Sequence, residues 1–361
     1  MLNNISRYVR LFHFFLSNYR PSYPKQIDIE LTNRCNLKCD MCWFHGTEGI
    51  GDRYKGNELT TSELGQLISQ FADYRPQIYL GGCEPFVRVD FLPILEHIKN
   101  LNLSATFTTN GTLLDSDKIR EIVNLGVDQI IFSIDGNEEI HDQIRGKGLF
   151  RKVTSNIKEL AKYRMEKNKK NPVIFINITI TPLVIGRLQR SLEAIREATS
   201  DSVDYYRIHH LWFITSRELT AHQTKIKKYL NCSALGAACH ITPLLGDIDQ
   251  LTLSREIMEL KNFPKIRFFP NLHSRDLHNY YLEGIHAKSR CVAPFYSALI
   301  KPNGDVKFCP DEWIDDYILG NIREEAFENI WNNKMARHFR SVIFWHRSFI
   351  GCKRCSWMYS F

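Results

Sequence analysis

Cys35, Cys39 and Cys42 stand in the run Arg34-Cys35-Asn36-Leu37-Lys38-Cys39-Asp40-Met41-Cys42-Trp43. Thiolates spaced Cys-x3-Cys-x2-Cys can hold three irons of a 4Fe–4S cube and leave the fourth iron without a protein ligand. An open metal position is where a substrate or cofactor coordinates, so the spacing points to chemistry more than to support. A zinc site or scattered core cysteines are the plainer alternatives.

A second set, Cys291, Cys309, Cys352 and Cys355, lies at the other end of the chain. Gly304 gives it the form Cys-x12-Gly-x4-Cys followed by Cys-x2-Cys. A structural zinc would use the same four thiolates, so this set alone leaves zinc and an iron–sulfur cluster both open. Of the ten cysteines, Cys83, Cys232 and Cys239 remain. The apolar run Leu11–Leu16 is broken by His13, is too short to span a bilayer and has no small-residue cleavage site after it. Many clustered cysteines without an export signal read as metal ligands in a reducing, cytoplasmic compartment rather than as disulfides.

The elements that must position these thiols are legible in outline. Residues 1–25 form an N-terminal extension in which Tyr8, Val9, Leu11, Phe12, Phe15 and Leu16 give a helical apolar face among Arg7, Arg10 and Arg20. Such a helix can lie on a membrane surface, although packing on the protein or on a partner is the plainer reading. From residue 26 to 216, strands are expected at Ile27–Leu31, Ile78–Leu80, Ala105–Thr108, Gln129–Ser133, Val173–Ile180 and Tyr205–Ile214, with helices near 60–73, 91–100, 115–124, 151–168 and 187–198. Six strands alternating with helices imply an α/β fold with a parallel sheet, here a partial (β/α)6 TIM-like barrel whose functional groups sit at the C-terminal strand ends. The triplet follows the first strand directly.

Residues 217–285 read as a connecting, substrate-covering segment of helices and loops, with His222, His240, His273, His278 and His286 scattered through it. Residues 286–361 read as a small α+β module: a hairpin of Phe295–Lys301 and Asp305–Phe308 around Pro302-Asn303-Gly304, then helices near 323–331 and 333–344. With 361 residues, 43% hydrophobic and 24% charged, the chain has the make-up of an ordinary globular protein. Its net charge of +7 is compatible with an anionic substrate or redox partner, though a plain solvated surface is the simpler reading, and no strong basic patch marks a nucleic-acid partner.

Further motifs stand at successive strand ends: Gly81-Gly82-Cys83-Glu84-Pro85, Thr108-Thr109-Asn110-Gly111, Ser133-Ile134-Asp135-Gly136 and then His141-Asp142-Gln143-Ile144-Arg145-Gly146. Each of the middle two is a turn-like signal on its own. Together with the triplet they resemble the radical S-adenosylmethionine (radical SAM) superfamily over roughly residues 26–215. The resemblance implies a 4Fe–4S cluster on Cys35, Cys39 and Cys42, with the amino and carboxylate groups of SAM on the open iron. Reduction by a flavodoxin- or ferredoxin-type donor then splits the sulfonium and yields a 5′-deoxyadenosyl radical. It further implies that Gly82 and Glu84 meet the SAM amino group, that Met41 packs near adenine, and that Asn110 and Ser133 face SAM, Ser133 at the ribose. Arg145 is implied at the SAM carboxylate, where a bidentate guanidinium suits the task; a surface ion pair is its plainer role. Asn177 on the fifth strand is a further SAM contact.

The second cysteine set resembles the SPASM/twitch extension of part of that superfamily. Six residues follow Cys355, which favours the shorter twitch form with one auxiliary 4Fe–4S cluster on Cys291, Cys309, Cys352 and Cys355. Such a cluster gives an electron a place to go after hydrogen abstraction. The candidates for chemistry on the substrate are Cys232 and Cys239, as hydrogen-atom donors, and His209 and His210, in a group with Trp212 and Arg217, as bases. Buried inert cysteine and core packing are the plainer roles for these. The expected activity is dehydrogenation of an alcohol carbon in a small polar metabolite such as a sugar or cyclitol. Epimerisation and modification of a ribosomally made peptide are the alternatives, the peptide being disfavoured by the short stretch before the first strand. A scaffold that holds a cluster or zinc without catalysis is the non-enzymatic alternative.

Overall fold

The computed structural model describes residues 17–46, 49–51, 57–242, 248–272, 274–281, 290–310 and 312–359. The helical face expected at Tyr8–Leu16 lies outside the described residues. Strands β1 (Gln26–Glu30), β2 (Gln77–Gly81), β3 (Ser104–Thr109), β4 (Gln129–Ser133), β5 (Val173–Thr179) and β6 (Tyr205–His209) pair in chain order, each parallel to the next. Helices α1 (Thr61–Ser69), α2 (Phe91–Asn100), α3 (Ser116–Leu125), α4 (Glu138–Arg145), α5 (Leu149–Glu166) and α6 (Leu188–Ala198) occupy the crossovers. This is the α/β, partial-barrel arrangement expected from the strand–helix alternation.

Two periodicities build it. Along β5, Ile174, Ile176 and Ile178 are buried, while Val173, Phe175, Asn177 and Thr179 share the opposite, more open face. On α2, Phe91, Ile94, Leu95 and Ile98 are buried, the stripe of a 3.6-residue repeat. Local chemistry sets the helix starts: Thr60 and Glu63 close a capping box on α1, and Asp115 and Asn137 accept from the first turns of α3 and α4.

The sheet runs beyond six strands at both edges. A seventh parallel strand, β7 (Ile266–Phe269), pairs with β6 inside the segment expected to hold only helices and loops. Its four residues are too few to show alternation, which is why the sequence hides it. That segment also contains α7 (Ser216–Leu230), α8 (Gln250–Leu260) and α9 (Ser274–Tyr281). β6 itself stops at His209 rather than Ile214, because residues 210, 211, 213 and 214 are all buried and leave no alternating face.

The expected C-terminal hairpin forms as β8 (Ser297–Ile300) and β9 (Asp305–Lys307), with β10 (Gly320–Asn321) beside it. β8 also pairs parallel with β1, so the order is β10-β9-β8-β1-β2-β3-β4-β5-β6-β7 and the module continues the barrel sheet. Helices α10 (Phe327–Trp331) and α11 (Lys334–His346) cover it. Among the described residues no helix is long and apolar enough to cross a membrane.

Candidate active site and auxiliary metal centre

The loop after β1 carries the first three thiols, and backbone contacts wind it tightly. Cys42 N–H donates to Cys39 O (2.9 Å), Gly46 N–H to Cys42 O (2.8 Å), and Leu37 and His45 N–H donate to the Cys35 and Cys42 sulfurs. His45 Nε2 lies 2.8 Å from Asn33 O and ties the loop's two ends together. Burial pushes the Cys39 thiol up to about 11, with Arg145 working against the rise and Cys42, Asp135 and Cys35 adding to it. Thiols withdrawn from water in this way favour the thiolate only when a cation joins them, which fits a bound iron cluster.

The next strand ends lock onto this loop. Gly82 has φ +94°, and a Cβ there would stand 2.6 Å from Thr32 O, so only glycine lets β2 turn against the loop. Glu84 is fully buried. Its carboxylate accepts from Thr109 Oγ1 (2.8 Å), Asn110 N–H (2.7 Å) and Phe86 N–H (3.2 Å), which makes it a clamp between the ends of β2 and β3. Asn110 donates to Asn36 Oδ1 at 2.9 Å and points its amide at the Cys35 sulfur, 3.9 Å away. Met41 packs on the core, and the Cys83 thiol, pushed up by burial, senses Cys42, Cys35, Glu30 and Lys301.

Arg145 at the end of α4 lies between Asp135, its ion-pair partner, and the Cys39 sulfur at 3.7 Å. The structure thus gives this guanidinium a thiolate-facing role that the sequence did not show. His141 Nδ1 accepts from Asp135 N–H, and burial, with Arg145 second, holds the ring down at about 4. Ser133 and Asn177 sit side by side in register on β4 and β5. Among the described residues, Asp135 Oδ1, His141 Nε2, Asn177 Oδ1 and His209 Nε2 are buried and have no partner. Orphaned polar atoms gathered at neighbouring strand ends are what a polar ligand would satisfy, and they fit SAM.

The second set converges too. Cys291, Cys309, Cys352 and Cys355 line one cavity whose walls include Phe308, Trp313, Phe339, Ile343 and Phe349. Burial pushes Cys309 well up, with Cys352 and Cys291 as its next neighbours, and holds Cys352 near 11. Among the described residues no three His, Cys, Asp or Glu side chains are arranged to hold a single metal ion. Four thiols ringing an apolar cavity fit a bound 4Fe–4S cluster.

Helix α7 braces the loop that carries the last two ligands. Glu218 meets Lys353 Nζ at 2.8 Å and Arg354 Nη1 at 2.6 Å, all three being buried. One turn on, His222 accepts from Gly351 N–H at 3.2 Å and contacts Trp313 O at 2.9 Å. Sequence reading missed both residues. Thr215 and Glu218 do show as a capping box, but that signal marks a helix start and not an ion pair.

Two bridges join the sites. Trp43, next to Cys42, lies 5.5 Å from the His240 ring, which stacks on Trp313 at 4.2 Å. A buried chain of charges runs from Glu30 to Lys301 (2.6 Å), from Lys301 to Glu312 (2.5 Å) and from Glu312 to Lys307 (3.2 Å).

The substrate-side candidates separate. His209 shares its face of β6 with Arg207, and burial keeps it neutral with a pKa of about 3. His210, the next residue, faces the other way. It is 1% exposed, its Nδ1 lies 2.9 Å from Tyr281 OH, and its buried Nε2 has no partner among the described residues. Arg217 is exposed on α7. The Cys232 thiol bonds Asp316, is raised by burial to about 12, and sits near Cys309 on the module side. Cys239 is half-buried beside His240, between the two sites.

A family model described as the radical SAM superfamily matches residues 29–204, and one described as an iron–sulfur cluster-binding domain, SPASM, matches residues 291–356. The AdoMet-dependent heme synthase of Methanosarcina barkeri is 30% identical over 343 residues, covering 88% of this chain and 84% of that protein. The tungsten-containing aldehyde ferredoxin oxidoreductase cofactor-modifying protein of Pyrococcus furiosus is 25% identical over 340 residues, 88% of this chain and 83% of the relative. Streptococcus suis SuiB, solved with its precursor peptide SuiA, has the same fold at a TM-score of 0.64 and 14% identity, over 94% of this chain and 72% of that one.

Proposed function

The chain belongs to the radical SAM superfamily, SPASM-containing subgroup, with SAM and two 4Fe–4S clusters as its cofactors, and on that premise we propose that it carries out a two-electron oxidation of a substrate carbon. The bound cofactors supply a 5′-deoxyadenosyl radical that takes one hydrogen atom, and an auxiliary cluster that takes the remaining electron. The chain supplies the rest. Cys35, Cys39 and Cys42 hold the first cluster and leave one iron open; Cys291, Cys309, Cys352 and Cys355 close the second. Met41, Gly82, Asn110, Ser133 and Asn177 line the SAM position, with Glu84 holding the loop that presents it. Arg145 offsets charge at Cys39. His209, unprotonated at one nitrogen on the same face as Arg207, is the candidate acceptor of the substrate proton, a role that needs an anionic substrate to raise its depressed pKa.

The observation that carries this reading is the packed contact between the two sites, Trp43 to His240 to Trp313, which places the auxiliary cavity against the cluster loop. The polar face formed by Ser133, Asn177, Arg207 and His209 supports a polar metabolite, a sugar or cyclitol alcohol among them. Electrons enter from a flavodoxin- or ferredoxin-type donor.

A relative named for heme synthesis, one named for cofactor modification and a fold neighbour solved with a precursor peptide favour a second reading, in which the substrate is a cofactor or a ribosomally made peptide. The oxidation is tested by incubating reduced, anaerobically reconstituted protein with SAM and candidate substrates. A product lighter by about two hydrogens, formed with one 5′-deoxyadenosine, supports it. A product of unchanged mass in light water that gains one solvent deuterium in heavy water overturns it in favour of epimerisation with Cys232 or Cys239 as donor.

A further inference from the structure

Arg207, a half-buried cation on the inner face of the sheet, has no anion among the described residues. Arg207 lies at the centre of β6, where Tyr206 and Ile208 face the helices and Arg207 shares the opposite face with His209. Its register partner on β5 is Asn177, whose own partner on β4 is Ser133, so the three residues form one row across the concave side of the sheet. Tyr79 of β2, across the barrel, is within electrostatic reach of the guanidinium. Among the described residues Arg207 makes no hydrogen bond or ion pair, and its one contact of note is with the Phe269 ring at 4.9 Å. Burial pulls its pKa down, the direction of a charge withdrawn from water without compensation.

The neighbouring cations are all committed. Arg145 is held by Asp135, Lys301 by Glu30 and Glu312, and Arg354 by Glu218. A guanidinium kept partly buried and unpaired costs stability, and such a cost persists where a ligand removes it. The row also offers Asn177, with an orphaned Oδ1, and His209 two residues on, with an orphaned Nε2. Planar, bidentate donation to a carboxylate or phosphate is the chemistry a free guanidinium serves best.

We infer that Arg207 is the anchor for an acidic group of the substrate, a carboxylate or phosphate, held on the concave face below the SAM position. This deepens the proposed oxidation by naming a substrate class, and it places the reacting carbon on an anionic metabolite or on an acidic side group of a larger one.

The test needs no substrate. Reconstituted holoprotein and its Arg207→Gln and Arg207→Met variants are compared by thermal unfolding, with and without inorganic phosphate or malonate, and by titration with SAM. The expected result is that the variants unfold at the same or a higher temperature than the wild type. Phosphate or malonate should raise the wild-type midpoint and leave the variants unmoved, while SAM affinity changes by less than about twofold. Variants that unfold earlier, with an anion response like the wild type's, overturn the inference by making Arg207 structural. A roughly tenfold loss of SAM affinity also overturns it, because the anion served is then the SAM carboxylate. Product analysis plays no part, so a failure of the oxidation reading leaves this result standing.

Discussion

The two thiol sites use the same ligand chemistry in opposite ways. The first takes its three cysteines from one loop of eight residues, Cys35 to Cys42, and lies beside buried polar atoms that have no partner among the described residues, Asp135 Oδ1, His141 Nε2 and Asn177 Oδ1, and beside the half-buried Arg207 guanidinium. The second collects four cysteines from three separate segments into an apolar cavity, and the loop bearing Cys352 and Cys355 has its charges and backbone tied down by Glu218 and His222. The second site is not free of uncommitted polar atoms, since Trp313 Nε1 on its cavity wall has no partner among the described residues, but the charges on its ligand loop are paired. A stable fold spends its polar groups on itself wherever function does not require them.

The sharpest break in this comparison is to remove one ligand from each site. Wild-type protein should carry about eight irons when reconstituted without oxygen. Cys39→Ala should fall to about four and lose SAM cleavage altogether, because only the first site meets SAM. Cys309→Ala should also fall to about four irons but still release 5′-deoxyadenosine, while oxidised product disappears. Iron analysis and chromatography of the cleavage product read both. Equal loss of SAM cleavage in the two variants would mean that the sites do not divide the work.

Removing a brace should hurt the closed site more than the open one. Glu218→Gln leaves Lys353 and Arg354 buried beside each other without a carboxylate, and should cost about 3 kcal/mol or more of stability in denaturant titrations. Asp135→Asn should cost less, because Arg145 keeps the Cys39 sulfur at 3.7 Å as a second partner. The reverse order would show that the open site is the better packed of the two.

The comparison also explains what the sequence revealed. The first site was legible because its ligands are close in sequence and each later motif stands at a strand end, where turn residues are forced by the backbone. Gly82 is the clearest case: its positive φ and the 2.6 Å clearance to Thr32 O permit no other residue. The four cysteines of the second site were legible by spacing, but Glu218 and His222 were not, since nothing in the sequence says what a helix 129 to 136 residues upstream of its partners on the ligand loop will touch. For the same reason the sequence did not show that Arg145 meets Asp135 and the Cys39 sulfur, contacts made by tertiary packing alone. β7 escaped because four residues cannot display a period, and β6, expected to run to Ile214, ends at His209.

Acidity gives the finest test of the contrast. His209, at the open site, is held neutral by burial with a pKa of about 3, with Arg207 adding to the effect. His222, at the closed site, is also lowered by burial, but its bond to Trp313 O works the other way. A base whose folded pKa is depressed binds fewer protons folded than unfolded below the unfolded value, so its stabilising effect is complete above about pH 6.5 and is lost as the pH falls toward the folded pKa. Between about pH 7.5 and about pH 5.5, His209 alone should account for up to about 1.4 kcal/mol of lost stability. His209→Gln should flatten the pH dependence by that amount and His222→Gln by less, in denaturant midpoints measured at the two pH values. Equal flattening would mean that the two rings are equally committed, and that the open site's orphaned nitrogen finds a partner after all.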